Sequence, residues 1–329
     1  MTGMKILGTG MYHPSNCVTN HDLSAMTETS DEWITKRTGI KTRYISTGES
    51  TWQMAVNASR QALSDSEIKA ENLQAIISVT ATPDYYYPNL SCIVSNQVGA
   101  VSPLTIDVNC ACSGFIYGLD LAKRYLLDDD IQNVLIVCSE LTSKITDYSD
   151  RLTCVLFADG AGALVLSKGN GLFSACLKSK ADKIEALFSK THAPKNPWTN
   201  NICDDGLFPN HTEPYIYMNG SDIYKFATNV APSIINEACA SLSLCPHDLN
   251  LIIPHQANFR IIEAISNKMN IPIEKFACNV QNYGNTCSAS IPICLHEQIK
   301  AGRVKKGDKI GMVGFGAGLT YAACVLEII

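Results

Sequence analysis

The sequence predicts an α/β fold built from two related halves, and two observations lead to this prediction. Short runs of Ile, Val and Leu, typical of fully buried strands, alternate along the chain with segments of helical periodicity. In addition, strand-like segments of the first half have counterparts in the second half. Continuous apolar strands are typical of sheets that helices cover on both faces. We therefore expect a duplicated α/β architecture in layers.

Four segments of the first half carry the repeat. Each has a counterpart in the second half: 72–80 corresponds to 248–254, 133–140 to 308–316, 157–167 to 315–328, and the segment around Cys112 to 276–299. The halves join near residues 168–175, which predicts one half at residues 1–170 and the other at 171–329. Residues 191–219, rich in Pro and Asn, form the longest irregular stretch, a length typical of functional or mobile loops.

Composition limits the classes of function. The chain has 329 residues, of which 46% are hydrophobic and 17% charged, so it can bury a large core. A net charge of −5 argues against nucleic-acid binding. The 14 cysteines are scattered without a C-x-x-C pair, so we expect neither a metal site nor a redox dithiol. Unpatterned cysteines indicate a reducing compartment, and we expect a cytoplasmic protein.

Neither end of the chain has the pattern of a membrane segment. The N-terminal residues lack the sustained apolar run of a signal peptide. The last twenty residues are apolar enough to span a bilayer, but glycines cluster in their first half and Glu327 lies near the end. We therefore predict two buried strands around a glycine turn, and no membrane partner.

Cys112 has the position of a nucleophile. The apolar-alternating run 104–108 predicts a strand, and a turn of small residues follows it. Helical spacing then begins, at Phe115, Leu119, Ala122 and Leu126. The free N–H groups and the positive dipole end of a helix N-terminus favour a thiolate and lower its pKa below roughly 8.5. The alternative, a buried structural cysteine, fits a strand interior better than this turn.

Two further candidates lie in the second half. His255 follows the buried strand predicted at 248–254 and precedes a helix, a place where ligands bind in α/β sheets. Taken alone, it could equally be a histidine that caps the helix. Asn285 lies in Tyr283-Gly284-Asn285-Thr286, which by itself is an ordinary turn. The duplication predicts that this turn and the Cys112 turn lie close together.

The chain resembles, nearly end to end, the β-ketoacyl-acyl carrier protein synthase III family of the thiolase superfamily. The order and spacing of several short motifs carry the resemblance: SDEWITKRTGI (30–40), DVNCACSGF (107–115), DR (150–151), FADGAGA (157–163), HQAN (255–258), YGNT (283–286) and GFGAG (314–318). The resemblance implies a thiolase-like fold with α-β-α-β-α layers. In it, the first half would carry the nucleophilic cysteine, and the second half the histidine and asparagine.

The resemblance also implies a reaction. Cys112, His255 and Asn285 would form the catalytic triad, and the backbone N–H groups of Cys112 and Gly316 an oxyanion hole. Cys112 would take an acyl group from an acyl-CoA, and a decarboxylative condensation with malonyl-acyl carrier protein would follow. Coenzyme A thioesters would be substrates, and no cofactor or metal would be permanently bound. The product would enter fatty acid or specialised metabolite synthesis.

Further roles follow from matching positions in the family. Trp33, Arg37, Arg151 and Asn258 would bind coenzyme A, since an aromatic plane and guanidinium groups suit adenine and phosphates. Tyr87, in an unusually aromatic segment, would act across a homodimer interface as a stop for acyl length. Lys225, Arg260 and Lys268 would form a basic patch for the acidic carrier protein.

Three alternatives to this condensation stay open. The acyl group on Cys112 could pass to an amine or an alcohol, or the condensation could be of the chalcone synthase or quinolone type. A non-catalytic, partner-binding relative is the third, and the intact set of Cys112, His255 and Asn285 speaks against it.

Overall fold

The computed structural model describes residues 3–191, 207–208 and 213–329, so most of the irregular segment predicted at 191–219 lies outside the described residues. The strands are β1 (Gly3–Tyr12), β2 (Cys17–Thr19), β3 (Thr42–Tyr44), β4 (Ala75–Val79), β5 (Leu104–Val108), β6 (Asn133–Glu140), β7 (Gly160–Gly169), β8 (Phe173–Ser179), β9 (Leu187–Phe188), β10 (Tyr217–Met218), β11 (Leu251–Pro254), β12 (Lys309–Gly316) and β13 (Thr320–Glu327). The helices are α1 (Asn20–Ser24), α2 (Asp31–Thr38), α3 (Thr51–Ser66), α4 (Leu90–Val98), α5 (Gly114–Tyr125), α6 (Gly220–Ala240), α7 (Phe259–Met269), α8 (Val280–Tyr283) and α9 (Ser290–Lys300).

The main strands form two mixed sheets that repeat one topology. The first sheet has the order β1-β7-β6-β4-β5 and the second the order β11-β12-β13-β8. β4 and β6 are parallel, as are β11 and β12, while β7 and β13 run antiparallel to both of their neighbours. The place of β5 is taken in the second sheet by a single bridge between Ile252 and Phe276. The predicted strand pairs of the two halves therefore occupy equivalent positions.

Three of the apolar clusters among the described residues pack the five layers together. The central core lies between the sheets and contains the buried faces of α5 and α9. A second core packs α3 and α4 on the outer face of the first sheet, and a third packs α6 and α7 on the outer face of the second. Side chains alternate along a strand. Along β6, Ile136 accordingly faces the central core, whereas Leu135 and Val137 face the outer one. The predicted α-β-α-β-α fold is confirmed.

Several of the candidate site residues lie at or directly after the ends of strands. β5 ends before the turn that carries Cys112, β11 ends directly before His255, and β12 ends at Gly316. The last twenty residues form β12 and β13, as the sequence predicted. Among the described residues, no helix combines the length and apolarity needed to cross a membrane. The division into halves at residue 170 falls between β7 and β8 and stays a prediction.

Candidate active site

Cys112 lies on a 3-10 turn, Ala111–Ser113, directly before α5. Its side chain is buried, and its turn leads into a helix whose first N–H groups have no partner within the helix. The preceding Ala111 has a φ of 44°, in the left-handed region that residues other than glycine seldom adopt. Backbone strain of this kind persists where the surrounding structure holds it, and it is typical of active sites.

The surroundings of Cys112 favour its thiolate. The pKa of Cys112 is lowered well below its ordinary value, chiefly by a hydrogen bond with the Cys287 thiol, whose sulfur lies 3.5 Å away. The nearby His255 ring lowers this pKa further, while burial opposes both effects. The same contact raises the pKa of Cys287, so Cys287 keeps its proton and can donate it to Cys112. A thiolate, rather than a thiol, is the attacking form of cysteine.

His255 is fixed at the end of β11. Its backbone N–H donates to the carbonyl of Val313 over 2.7 Å, and its ring meets that of Phe315 edge-on at 5.5 Å. The ring nitrogen Nδ1 lies 2.7 Å from Oγ of Ser290, at the start of α9. This Oγ accepts a hydrogen bond from the backbone N–H of Gln256. The hydroxyl proton of Ser290 can then point to Nδ1, which leaves the N–H of His255 on Nε2.

Asn285 is held by the backbone of the first half. Its N–H donates to the carbonyl of Leu156 and its carbonyl accepts from the N–H of Ala158, both over 2.9 Å. Its side-chain Oδ1 accepts from the backbone N–H of Cys287 over 2.9 Å. The amide NH₂ is therefore the part of Asn285 that can donate to a ligand.

Gly316 lies against Cys112. A Cβ added at Gly316 would come within 3.0 Å of both the backbone nitrogen and the Cβ of Cys112. Only a glycine fits here without moving the cysteine. Cys112, His255, Asn285 and Gly316 line one cavity of about 520 Å³, so the structure brings together the residues that the sequence predicted.

Three of the four predicted coenzyme A residues belong to the same cavity. Trp33, Arg37 and Asn258 line it. The guanidinium groups of Arg37 and Arg151 lie 5.5 Å and 5.4 Å from the centre of the Trp33 ring. Asn258 accepts from the N–H of Arg260 and donates to the carbonyl of Arg37, so it joins α7 to α2. Its polar side-chain atoms are thus engaged in positioning these two helices.

The remaining predicted residues are exposed. Arg260 lines the cavity, while Lys225 and Lys268 lie on α6 and α7, which pack together. The Nζ of Lys268 donates to Asn229 of α6 over 2.6 Å. The Tyr87 side chain is 86% exposed, and Tyr87 does not line the cavity of its own chain.

Three residues of the site were missed by the sequence analysis. Cys287 and Ser290 lie in the repeat segment 276–299, and an exact alignment of that repeat with the Cys112 turn could have drawn attention to them. Glu140 ends the buried strand β6 and gave no comparable signal. Its carboxyl group accepts hydrogen bonds from the N–H of Ala81 and from the hydroxyls of Thr82 and Ser288. Complete burial outweighs these bonds and raises the pKa of Glu140 to about 7.

Comparison with known proteins identifies relatives of this chain. A family model described as 3-Oxoacyl-[acyl-carrier-protein (ACP)] synthase III matches residues 106–181, and one described as the C terminal of that synthase matches residues 239–328. The Beta-ketoacyl-[acyl-carrier-protein] synthase III of Clostridium acetobutylicum is 42% identical, with 99% of each chain covered. That of Clostridium perfringens, strain SM101, is 44% identical, with 100% of each covered.

A solved structure extends the likeness to three dimensions. The crystal structure of 3-oxoacyl-[acyl-carrier-protein] synthase III from Aquifex aeolicus matches with a TM-score of 0.90 and 40% identity. The match covers 99% of this chain and 100% of that one. The predicted thiolase-like fold and condensing acyltransferase class are confirmed by these matches. The chain belongs to the beta-ketoacyl-[acyl-carrier-protein] synthase III family.

Proposed function

We propose that this enzyme transfers an acyl group from coenzyme A to Cys112 and then condenses it with malonyl-acyl carrier protein. The observation that carries the proposal is the convergence of Cys112, His255 and Asn285 in one cavity, each held by contacts of its own. The first supplies a nucleophile, and the other two supply hydrogen-bond donors for a developing oxyanion.

In the first half-reaction, the Cys112 thiolate attacks the thioester carbonyl. The backbone N–H groups of Cys112 and Gly316 meet the negative charge on the carbonyl oxygen. The bond between the carbonyl carbon and the sulfur of coenzyme A then breaks, and coenzyme A leaves as a thiolate that takes up a proton from solvent. The acyl group stays on Cys112 as a thioester.

In the second half-reaction, the malonyl thioester loses CO₂ and leaves an enolate. Nε2–H of His255 and the amide of Asn285 donate hydrogen bonds to the enolate oxygen. The enolate carbon attacks the acyl carbonyl, and the bond to the Cys112 sulfur breaks. The β-ketoacyl thioester leaves, and the thiolate is restored.

The dependence on the malonyl group tests the proposal against acyl transfer to an amine or alcohol. The names of the relatives describe condensing synthases, which favours condensation. We expect intact-protein mass spectrometry to show an acyl adduct after incubation with acyl-CoA. Malonyl-acyl carrier protein should then discharge this adduct with release of CO₂ and a β-ketoacyl product. Discharge by amines or alcohols at the same rate, without a malonyl thioester, would favour the alternative.

The group of Trp33, Arg37 and Arg151 is proposed to hold the adenine end of coenzyme A. For Trp33→Ala, we expect the KM for acyl-CoA to rise while kcat changes little, because the adenine lies far from the reacting carbon. Steady-state kinetics measures this. Acyl-pantetheine, which lacks the adenine end, is the control substrate, and the variant should use it as well as the wild type does. An equal loss on both substrates would contradict this assignment.

The close approach of Gly316 to Cys112 gives a second prediction. In Gly316→Ala, the added methyl group forces Cys112 and its N–H away from the reacting carbonyl, and the acylation rate should fall by up to about 10². Rapid-quench measurement of acyl-enzyme formation checks this. Gly220→Ala is the matched control, since Gly220 lines the same cavity and its added Cβ would meet only the end of Met218 at 3.9 Å. Equal rates in the two variants would refute the role of Gly316.

We propose that the chain forms a homodimer through the exposed edge of the first sheet. β5 is an edge strand with Leu104 exposed, and the neighbouring segment exposes the side chains of Tyr85, Tyr86 and Tyr87. Unpaired edges and exposed aromatic clusters are features that protein interfaces cover. Because Tyr87 lies outside the cavity of its own chain, it fits a role at the cavity of a second subunit.

Tyr87→Ala is expected to open the acyl pocket of the dimer. The variant should shift its acylation preference from two-carbon towards four- and eight-carbon acyl-CoAs, because the ring no longer limits chain length. Acylation rates of wild type and variant with the three substrates measure the shift. Tyr86→Ala, which removes an equally exposed ring, is the control and should keep the wild-type preference. If light scattering shows a monomer, or if Tyr87→Ala keeps the wild-type acyl preference, the proposed role of Tyr87 as a stop for acyl length is wrong.

The carrier-protein partner, the absence of a bound cofactor and the cellular location are the remaining parts of the proposal. The exposed Lys225, Arg260 and Lys268 would attract the acidic carrier protein to the cavity mouth, although the whole chain is acidic. The proposed reaction uses donors and a thiolate and calls for no permanently bound cofactor. A cytoplasmic location fits the free thiols of the 13 described cysteines.

A further inference from the structure

Cys287 places a second thiol beside the proposed nucleophile. Its sulfur lies 3.5 Å from that of Cys112, and both side chains are buried. The mechanism above uses Cys287 only as a neighbour. We propose that Cys112 and Cys287 form a reversible disulfide when the free enzyme meets a hydroperoxide, so that the catalytic turn is also an oxidation site.

The geometry brings these two sulfur atoms together from opposite halves. The Cys112 turn follows β5, and the turn Cys287–Ala289 follows Asn285 at the equivalent place of the repeat. Ala111 and Cys287 occupy equivalent positions and share left-handed φ values of 44° and 49°. The backbone N–H of Cys287 is tied to Asn285, which fixes the start of its side chain. A disulfide bond is about 2.05 Å long, so the sulfur atoms must approach by roughly 1.5 Å.

The two thiols also differ in pKa, and this difference favours disulfide formation. The Cys112 pKa is lowered, so its thiolate can attack a peroxide, whereas Cys287 keeps a proton that it can give up later. Cys112 lines the open cavity, which a small hydroperoxide can enter. Burial raises the pKa of the thiols of Cys138, Cys294 and Cys324, which makes these less reactive.

The reaction has two balanced steps. The Cys112 thiolate attacks one oxygen of hydrogen peroxide, the O–O bond breaks, and a sulfenic acid forms while hydroxide leaves and is protonated to water. Cys287 then loses its proton and attacks the sulfenic sulfur. The S–S bond forms, the S–O bond breaks, and a second water leaves. In sum, two thiols are oxidised and one peroxide is reduced to two waters. An external dithiol reverses the change by thiol–disulfide exchange.

The cross-link depends only on the placement of two sulfur atoms, whereas its effect on activity rests on the proposed role of Cys112. A disulfide removes the nucleophile, so activity should fall in proportion to the linked fraction. An acyl group on Cys112 leaves no free thiolate there. Prior incubation with acyl-CoA should therefore protect the enzyme from linkage.

The test is peptide mapping of the whole enzyme after treatment with hydrogen peroxide. Trypsin leaves Cys112 in the peptide 70–123 and Cys287 in 276–300, each with three cysteines, so fragmentation spectra must locate the bond. We expect these two peptides to be joined through Cys112 and Cys287, with loss of two hydrogen atoms. Dithiothreitol should separate the peptides and restore activity. A peroxide-treated enzyme with Cys112 oxidised but no such link would overturn the inference.

Two variants sharpen the result. Cys287→Ser should form no link, and peroxide should carry its Cys112 to the sulfinic acid, a loss of activity that dithiothreitol does not reverse. Cys110→Ala, a change two residues from Cys112, should still form the link. Full recovery of Cys287→Ser by dithiothreitol, or loss of the link in Cys110→Ala, would overturn the inference. If Cys287→Ser does not fold, the peptide map of the wild type decides the question. A linked enzyme that keeps its activity would overturn the role of Cys112 while leaving the link established.

Discussion

Cys112→Ala is expected to form no acyl-enzyme and to lose turnover by on the order of 10⁴–10⁶-fold, the size typical of removing a catalytic nucleophile. The structure gives the reason. Among the described cysteines, Cys112 is the one whose pKa is lowered, and it lies at a helix N-terminus against Gly316, whereas the nearby Cys287 thiol has a raised pKa. Without this sulfur, the described lining of the cavity offers no other thiol that could hold the acyl chain.

Intact-mass measurement after incubation with acyl-CoA checks this prediction. The wild type should gain one acyl group, which fragmentation of the peptide 70–123 should place on Cys112 rather than on Cys92 or Cys110. Cys110→Ala is the matched control and should still be acylated, because Cys110 is a half-buried thiol with a raised pKa. Acylation that persists in Cys112→Ala would mean that another residue is the nucleophile.

His255→Ala and Asn285→Ala are expected to slow malonyl decarboxylation by about 10²–10³, while acyl transfer to Cys112 is affected less. Both side chains are positioned as donors, His255 through Ser290 and Asn285 through Cys287. The enolate charge that they are proposed to meet arises only in the second half-reaction. Because His255 also lowers the pKa of Cys112, His255→Ala should slow acyl transfer as well. This loss should be smaller than the loss in the rate of decarboxylation.

Separate assays of the two half-reactions measure this difference. Release of coenzyme A in a single turnover reports acyl transfer, and release of labelled CO₂ from malonyl-acyl carrier protein reports decarboxylation. His247→Ala, which changes an exposed histidine that does not line the cavity, serves as the control and should resemble the wild type in both assays. Wild-type rates of CO₂ release in His255→Ala and Asn285→Ala would show that the enolate is stabilised elsewhere.

The sequence was sufficient to predict the main elements and part of the candidate site, while Cys287, Ser290 and Glu140 were missed. Alternating apolar residues at 104–108 predicted β5, and the apolar run at 248–254 predicted the strand before His255, which the structure places at Leu251–Pro254. Both predictions were possible because a strand that buries one or both faces needs apolar residues at neighbouring or alternate positions. The repeat predicted that the Cys112 and Asn285 turns meet, and the motifs predicted the family. Each of these signals lies within a short segment or in the order of segments.

The tertiary structure alone decided which side chains touch. The contact between Cys112 and Cys287 joins residues 175 apart, the counterpart of β5 in the second sheet is a single bridge at Phe276, and Glu140 ends β6 beside Ser288. None of these follows from a local pattern, since each depends on the register and depth at which the two halves pack. The sequence by itself thus determined the main elements and the family, and it predicted the reacting residues. The packing of the halves determined the distances, the burial and, through them, the acidity of the groups between them.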